Sequence, residues 1–435
     1  MFIDTFLRHL WKPVRQEYEA AYKMAMEKTA EEIYCIYADN KMTYYQYPGV
    51  NMNMLPTCGC SHRYDGKRMS GCSMCNYHSE FARAQGGLRA LREKKPDLYA
   101  QLICQVFSNG RGKKPQPNIC ELLTGYNTFD TVEVPTEMFE QFYDVEKLFS
   151  TRPFKIIVEV RANDVSEEKL SLLKQYVPKH TRVCIEMGVE IGNDWFRNHW
   201  INKNITNEEI EAAIHKIHEA GYTANCDILL GIPGIPEELS IQLFEETVFW
   251  LDSVGTDEIT VAPLNRKKYT LQGYLYEEMQ ENKDLRDAGI VQGEHTGLPW
   301  LFSVMEGLYR IFSKKCSLSE KVYLIQLSEN TNSIGNTLAY NTERKCTCDK
   351  RIFDCLLNFQ KNKDVSALLL FWEKMKNEPC QCYQDYQKLL AVQKEAGGAK
   401  DIIRLVANEI QKKIESESAD VYFPDIEDEL SQLNV

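Results

Sequence analysis

The sequence predicts an α/β protein: a partial (βα)6 TIM-like barrel followed by a mostly helical, metal-binding C-terminal domain. Three observations carry this expectation. From about residue 80 to 265, short apolar strands alternate with amphipathic helices, the pattern of a parallel sheet covered by helices. Two of those strands place their acids on one alternating face, Glu159 with Arg161 in one and Glu186 with Glu190 in the other, opposite an apolar face. Cysteines gather in two groups, one at the start of the alternating region and one beyond its end.

The elements follow in order. Phe2 to Lys28 reads as an amphipathic helical segment with Phe6, Trp11, Tyr18 and Tyr22 on it; core packing or a partner helix accounts for it. An apolar segment entering Cys60 is the first strand. Ser79 to Lys95 reads as a helix, Asn118 to Leu123 as the second strand, and Pro135 to Phe149 as a helix. Lys155 to Arg161 is the third strand and Ser166 to Tyr176 a helix. Arg182 to Ile191 is the fourth strand, and Asn207 to Ala220 a helix closed by Gly221. Thr223 to Leu230, ended by Gly231-Ile-Pro-Gly234, is the fifth strand; the helix Glu237 to Ser253 and the sixth strand Glu258 to Leu264 complete the set. The domain reading is an N-terminal helical extension over 1–50, the barrel over 51–270, and a C-terminal helical domain with a four-cysteine metal site over 271–435.

Side chains alternate faces along a strand. In the fourth strand Cys184, Glu186, Gly188 and Glu190 share one face, and Ile185, Met187 and Val189 the other. In the third, Glu159 and Arg161 oppose Val158 and Val160. The apolar faces suit outer helices, which leaves the polar faces for the barrel lumen. Glu159, Arg161, Glu186 and Glu190 there require ion pairs or a ligand. In α/β barrels the chemistry lies at the C-terminal strand ends, where Cys60, Gly125, Arg161, Glu190 and Asn265 fall.

The most informative segment is Cys58-Gly-Cys60-Ser-His62, running on to Gly71-Cys72-Ser-Met74-Cys75-Asn-Tyr77-His78. Four thiolates saturate a zinc ion or a cubane. Cys60, Cys72 and Cys75 make three, which on a [4Fe–4S] cube leave one iron open for a substrate. A zinc loop is the rival reading, and Cys58 is a second candidate for the first ligand. His62 and His78 read as exposed loop residues. Met74 and Tyr77 are candidates to pack against a bound cofactor, ordinary loop packing being the alternative.

These residues, taken together, resemble the radical S-adenosylmethionine superfamily. Gly59-Cys60 and Gly71-Cys72-Ser-Met74-Cys75-Asn-Tyr77 look like its cluster loop, with a longer gap between the first two cysteines. Within the superfamily the chain is similar to the group of the archaeosine synthase radical subunit, and more distantly to the Elongator catalytic subunit. Glu159-Val-Arg161, Glu186-Met-Gly188-Val-Glu190 and Asp227-Ile-Leu-Leu-Gly231-Ile-Pro-Gly234 carry that likeness. The resemblance implies an enzyme with an open-site [4Fe–4S] cluster on Cys60, Cys72 and Cys75. It implies S-adenosyl-L-methionine held near Met74, Tyr77, Gly125, Glu159, Arg161 and Glu190. The usual Gly-Gly-Glu after the second strand is replaced by Thr124-Gly125-Tyr126-Asn127. An external one-electron reductant, flavodoxin or ferredoxin, is the implied partner. Hydrogen abstraction from a small molecule or peptide is the preferred reading. A tRNA-modifying lyase is the alternative, and a metal-stabilised binding protein the non-enzymatic one.

Cys346-Thr-Cys348 and Cys380-Gln-Cys382 provide a second set of four thiolates, read as one site holding a second [4Fe–4S] cluster or zinc, the cluster being preferred. Cys355 is a possible substitute ligand. Fifteen cysteines, with an acidic residue early and no apolar leader, point to metal ligation in a reducing compartment and to a cytoplasmic location. No apolar run is long enough to span a bilayer. The net charge of −12 opposes general attraction to nucleic acid. The basic run Arg266-Lys267-Lys268 is expected at the barrel mouth, and Glu415 to Val435 is expected to be an acidic tail with a mobile end.

Overall fold

A computed structural model describes residues 1–39, 43–47, 50–77, 79–111, 120–124, 127–144, 153–325, 340–341, 346–418 and 421–434. Its centre is an eight-stranded sheet in sequential order. The strands are β1 (Thr43–Tyr47), β2 (Val50–Met54), β3 (Cys120–Thr124), β4 (Lys155–Val160), β5 (Arg182–Glu190), β6 (Thr223–Leu230), β7 (Glu258–Pro263) and β8 (Val322–Leu324). From β2 to β8 every neighbouring pair is parallel. This is the expected α/β architecture, with the helical C-terminal region following it.

Strands from outside residues 51–270 also join the sheet. β1 pairs antiparallel with β2, and β8 adds to β7. β8 is three residues long, shorter than the runs that mark a strand, and the tyrosine-rich β1 lies before the alternating region that predicts the strands.

Local signals set the helix starts. The helix Asn207–Glu219 opens on a capping box between Thr206 and Glu209, and Glu167–Tyr176 on the Ser166 hydroxyl. Each cap satisfies backbone N–H groups that would lack partners. The N-terminal amphipathic segment divides at Trp11 into the helices Phe2–Leu10 and Lys12–Met26. The expected helix after Pro135 is short, a 3₁₀ turn and then Phe139–Tyr143, and residues 145–152 lie outside the described set.

Parity along the strands holds. In β4 Ile156, Val158 and Val160 are buried against the helices, while Glu159 lies on the other face. One apolar cluster fills the space between the sheet and its helices and runs on into the C-terminal helices. A second gathers beyond the C-terminal ends of β5, β6 and β7. It joins Phe2, Phe6 and Trp11 to Trp200, Leu264 and Leu275, and to Val406, Phe423 and Leu430. No described helix is long and apolar enough to cross a membrane.

The acidic tail is a correction to the sequence reading. Phe423, Ile426, Leu430 and Leu433 are buried, and the short helix Ile426–Leu430 presents Glu429 to the N-terminal helix. Glu429 accepts from the Phe2 backbone N–H at 2.6 Å and from His199 Nδ1 at 2.8 Å. The Glu429 carbonyl accepts from Trp195 Nε1 at 2.8 Å. Apolar residues spaced between acids anchor the tail despite its charge.

Burial alone would raise the Glu429 carboxyl, but the His199 and Phe2 hydrogen bonds outweigh it and hold it below the usual range. A depressed folded-state value stabilises above the unfolded pKa, and that contribution is lost as pH falls through the folded value. Glu429→Gln should therefore cost about 1–3 kcal/mol at neutral pH. The gap to wild type should close as the pH is lowered through the carboxylate range. Thermal unfolding of both proteins across that range checks it; a gap that does not change with pH rules out the charge.

Candidate active site

The stretch from Cys60 to Cys75 is a folded loop past the end of β2. Its unusual length is taken up by a small hairpin. Tyr64 and Met69 form an antiparallel bridge, Ser70 N–H donates to the Arg63 carbonyl at 3.0 Å, and Arg63 N–H donates to the Cys60 carbonyl at 3.0 Å. At the tip the Asp65 carboxylate accepts from the backbone N–H groups of Lys67 and Arg68. The two ends of the insertion therefore return to the same place.

Arg63, which the sequence reading did not single out, holds them there. It is buried, and its Nη2 donates to the Cys75 carbonyl at 2.7 Å and the Cys72 carbonyl at 3.2 Å. Its guanidinium carbon lies 4.0 Å from the centre of the Trp11 ring, a desolvated cation–π contact. Gly71, at φ +73°, passes so close that a Cβ there would meet the guanidinium at 2.7 Å.

The segment after β5 grips the loop from the other side. A π-helical turn, Phe196–Trp200, brings two carbonyls to Ser73. Ser73 N–H donates to Ile201 at 2.8 Å, and the Ser73 hydroxyl to Trp200 at 2.8 Å. Asn202, in the left-handed region, donates to the Gly71 carbonyl at 2.7 Å and accepts on its own carbonyl from His62 Nε2 at 2.7 Å. His62 is thus half-buried and engaged, not the exposed loop residue the sequence suggests. The run Asn202-Lys203-Asn204, with both asparagines at positive φ, was the available signal, since asparagine visits that region readily.

The two candidates for the first thiol differ. Cys58 is buried, its Sγ donates to the Val132 carbonyl at 3.3 Å, and its N–H donates to Tyr99 Oη. Cys60 faces Glu133, Arg161 and Cys72, and Cys72 faces Lys203, Arg161 and Cys75. Burial raises the Cys60 thiol to about 12, and Cys72 also lies above the usual range, with Arg161 and Lys203 opposing the shift. A metal would need to bind as these thiols ionise, and the surrounding cations favour that.

Beneath the loop lie the lumen acids. Glu186 receives Asn225 Nδ2 at 2.8 Å, and burial followed by the nearby Glu159 raises it to about 7. Asp227 is raised well above its usual value by burial, then by Glu186, Glu159 and Glu190. Its Oδ1 is buried with no hydrogen-bond partner among the described residues. Arg161 donates to the Lys203 carbonyl at 2.6 Å. Glu190, at φ +66° beside a bulge in β5, pairs with Lys203 Nζ at 2.7 Å. Gly188 makes room for that pair, because a Cβ would come 2.5 Å from Lys203 Nζ and 2.8 Å from Glu190 Oε1. Lys203, missed in the sequence, is therefore the partner of Glu190. Burial alone would lower it, but Glu190 and Cys72 hold it above the usual lysine value.

The loop after β7 closes the third side. Gln272 Nε2 donates to the Met74 carbonyl at 3.3 Å and the Asn265 carbonyl at 3.1 Å. Tyr77 is half-buried, with Lys267 Nζ 4.7 Å from its ring centre. Of the basic run only Lys268 is exposed. Arg266 is fully buried and donates to the Glu294 and Thr296 carbonyls, and Lys267 is 5% exposed. Gly125, also expected near a cofactor, lies outside the described residues, as does His78.

The second cysteine set converges. Cys346, Cys348, Cys380 and Cys382 have sulfurs all within 4.8 Å of one another, the only such group of potential metal ligands among the described residues. Cys348 opens the helix Cys348–Asn362, and Cys380 and Cys382 straddle the start of Gln381–Glu395. Two helix N-termini thus point at the thiols, and their free N–H groups favour negative sulfur. Burial raises Cys382 to about 11 and lifts Cys348 as well; Cys346, also lifted by burial, is drawn down by hydrogen bonds from Cys348, Cys382 and Cys380. Cys355 is not in the group and packs along its helix.

No family model matches the chain. An uncharacterized protein of Methanocaldococcus jannaschii is 24% identical over 349 residues, 78% of this chain and 81% of that protein. The radical S-adenosylmethionine methyltransferase TsrM from Kitasatospora setae aligns at a TM-score of 0.33 and 16% identity, over 54% of this chain and 40% of that enzyme. Methylornithine synthase PylB aligns at a TM-score of 0.34 and 11% identity, over 88% of this chain and 95% of that one. Coproporphyrinogen III oxidase HemN from Escherichia coli, a radical S-adenosylmethionine enzyme, aligns at 0.26 and 19% identity, over 37% of this chain and 33% of that one. Scores this low establish no residue-by-residue equivalence.

Replacing Arg63 by Met keeps much of its volume and removes both carbonyl hydrogen bonds and the charge over Trp11. The loss should be about 2–4 kcal/mol of stability, with iron retained per chain after anaerobic reconstitution falling in step. Thermal unfolding and iron assay check this. Unchanged iron retention would show that the loop holds its shape without the strut.

Proposed function

We propose that the chain is a radical S-adenosylmethionine enzyme that binds an open-site [4Fe–4S] cluster on Cys60, Cys72 and Cys75. The observation that carries this reading is the folded cysteine loop: Arg63 holds the Cys72 and Cys75 carbonyls together, and Arg161 acts on both the Cys60 and the Cys72 thiols. The C-terminal four differ, with their sulfurs all within 4.8 Å of one another. A tetrahedral zinc with Zn–S of about 2.3 Å holds its sulfurs roughly 3.8 Å apart. A cubane binds its thiolates at separate iron corners and spreads them more widely.

When bound, the cluster and cofactor supply a one-electron cleavage of the sulfonium, giving a carbon radical that abstracts hydrogen. The protein's own part is to shape and insulate that chemistry. Arg161, Lys203 and Lys267 offset the negative charge of a thiolate-ligated cluster. The second apolar cluster walls off the strand ends. In this reading Glu190, set in its left-handed turn and paired with Lys203, accepts ribose hydroxyls, and Met74 and Tyr77 border the adenine. Among the lumen acids Glu159, Glu186 and Asp227, the Asp227 Oδ1, buried with no hydrogen-bond partner among the described residues, suits a polar substrate. An external one-electron donor such as flavodoxin or ferredoxin completes the reaction.

Burial of Arg266 and Lys267 favours a small-molecule or peptide substrate over tRNA, because phosphate contacts need accessible clustered cations. For the C-terminal set, the tight sulfur spacing favours one structural zinc over the second cluster that the sequence reading preferred.

Anaerobic protein given labelled S-adenosylmethionine and a strong reductant should release 5′-deoxyadenosine and methionine. Cys60→Ala should abolish the release, and Cys58→Ala should keep it. The reverse result would exchange the two assignments, and no cleavage by a protein carrying its cluster would end the proposal. Metal analysis should find about four irons and one zinc per chain; about eight irons and no zinc would restore the second cluster.

A further inference from the structure

Lys267 is a buried cation without a carboxylate to match it. It is 5% exposed, and among the described residues no carboxylate lies within salt-bridge distance of its Nζ. Its Nζ lies 4.7 Å from the centre of the Tyr77 ring. The other two cations of the site differ from it, since Lys203 is paired with Glu190 and Arg161 donates to the Lys203 carbonyl.

The backbone around Lys267 is built rather than loose. The Thr270 hydroxyl donates to the Lys267 carbonyl and accepts from Gly273 N–H. Arg266 is tied to the Glu294 and Thr296 carbonyls. Gln272 Nε2 joins the Asn265 and Met74 carbonyls, so this loop and the cysteine loop share one hydrogen-bonded node. The negative groups that act on Lys267 are Cys75 and Glu190, which sets it toward the thiol loop. A second orphan lies two residues away: Asn265 is 4% exposed, and its Nδ2 is a buried donor with no hydrogen-bond partner among the described residues.

An ammonium taken out of water without a counter-charge is costly, and an unmade donor beside it adds to the cost. A carboxylate arriving with a ligand relieves both. Tyr77 alone does not, because a ring face compensates only part of a desolvated charge. We propose that Lys267, helped by the Asn265 amide, is the anion subsite for the carboxylate of an amino-acid-type ligand seated at the Cys60–Cys72–Cys75 centre. That ligand is the methionyl end of S-adenosylmethionine in the function proposed above, on which this inference rests.

The test compares two probes, S-adenosylmethionine and its decarboxylated analogue, by calorimetric titration of anaerobically reconstituted protein. Lys267→Gln should weaken S-adenosylmethionine binding about tenfold to a hundredfold. It should leave the decarboxylated analogue within about threefold of wild type, with the iron content unchanged. The comparison separates the lysine's part from any other contact the carboxylate would make, because wild type and variant share those contacts. Lys267→Arg, which keeps the buried stem and the charge, should retain the preference for the carboxylated probe. Equal weakening of both probes, no weakening of either, or loss of the preference in Lys267→Arg overturns the inference alone. A wild-type protein that carries its cluster and binds neither probe overturns the function and the inference together.

Discussion

Three thiols can meet past the end of β2 only if the chain between the first and the second doubles back, and Arg63 keeps it doubled. A guanidinium offers several donors in a rigid fork. Here one arm takes the Cys72 and Cys75 carbonyls while the flat face lies on Trp11. The cysteine loop is thereby tied to the N-terminal helical segment, which is itself fastened to the C-terminal tail through Glu429 and Phe2. Segments far apart in sequence bear on one loop, and the second apolar cluster is the volume in which they meet.

Charge is distributed in that volume by compensation. The Lys203–Glu190 pair is buried and sits over a glycine that has no side chain to displace it. Such a pair adds little net stability, but it sets geometry, because removing one partner leaves a buried charge. Among the lumen acids, burial and then the neighbouring carboxylates push Glu186 and Asp227 toward their neutral forms. Lys267, of the opposite sign, has no carboxylate partner among the described residues. Perturbed acids and an unmatched buried cation near a thiol loop are the kind of groups that functional sites gather.

The C-terminal cysteines follow a different plan. Two Cys-x-Cys pairs sit on two helix starts, where exposed N–H groups already favour thiolate. Their sulfurs lie within 4.8 Å of one another, so a metal bound there would tie the two helix starts together.

Much of this was legible in the sequence. Five of the strands and the helices between them announce themselves through apolar period and caps, because each is decided by neighbours a few residues away. Parity alone put Glu159 and Glu186 on the polar face. The paired cysteines were legible too, since thiols in close spacing serve few purposes. Only the tertiary structure could give Arg63 its role, set Cys58 and Cys60 in different surroundings, pair Glu190 with Lys203, and bury Arg266 and Lys267 in what reads as a basic surface run. It also turned an acidic tail into a clasp. Each of these depends on which distant segment lies opposite a side chain. A periodic pattern says which way a residue points; what it meets there is settled by long-range packing, and burial and charge pairing are consequences of that packing.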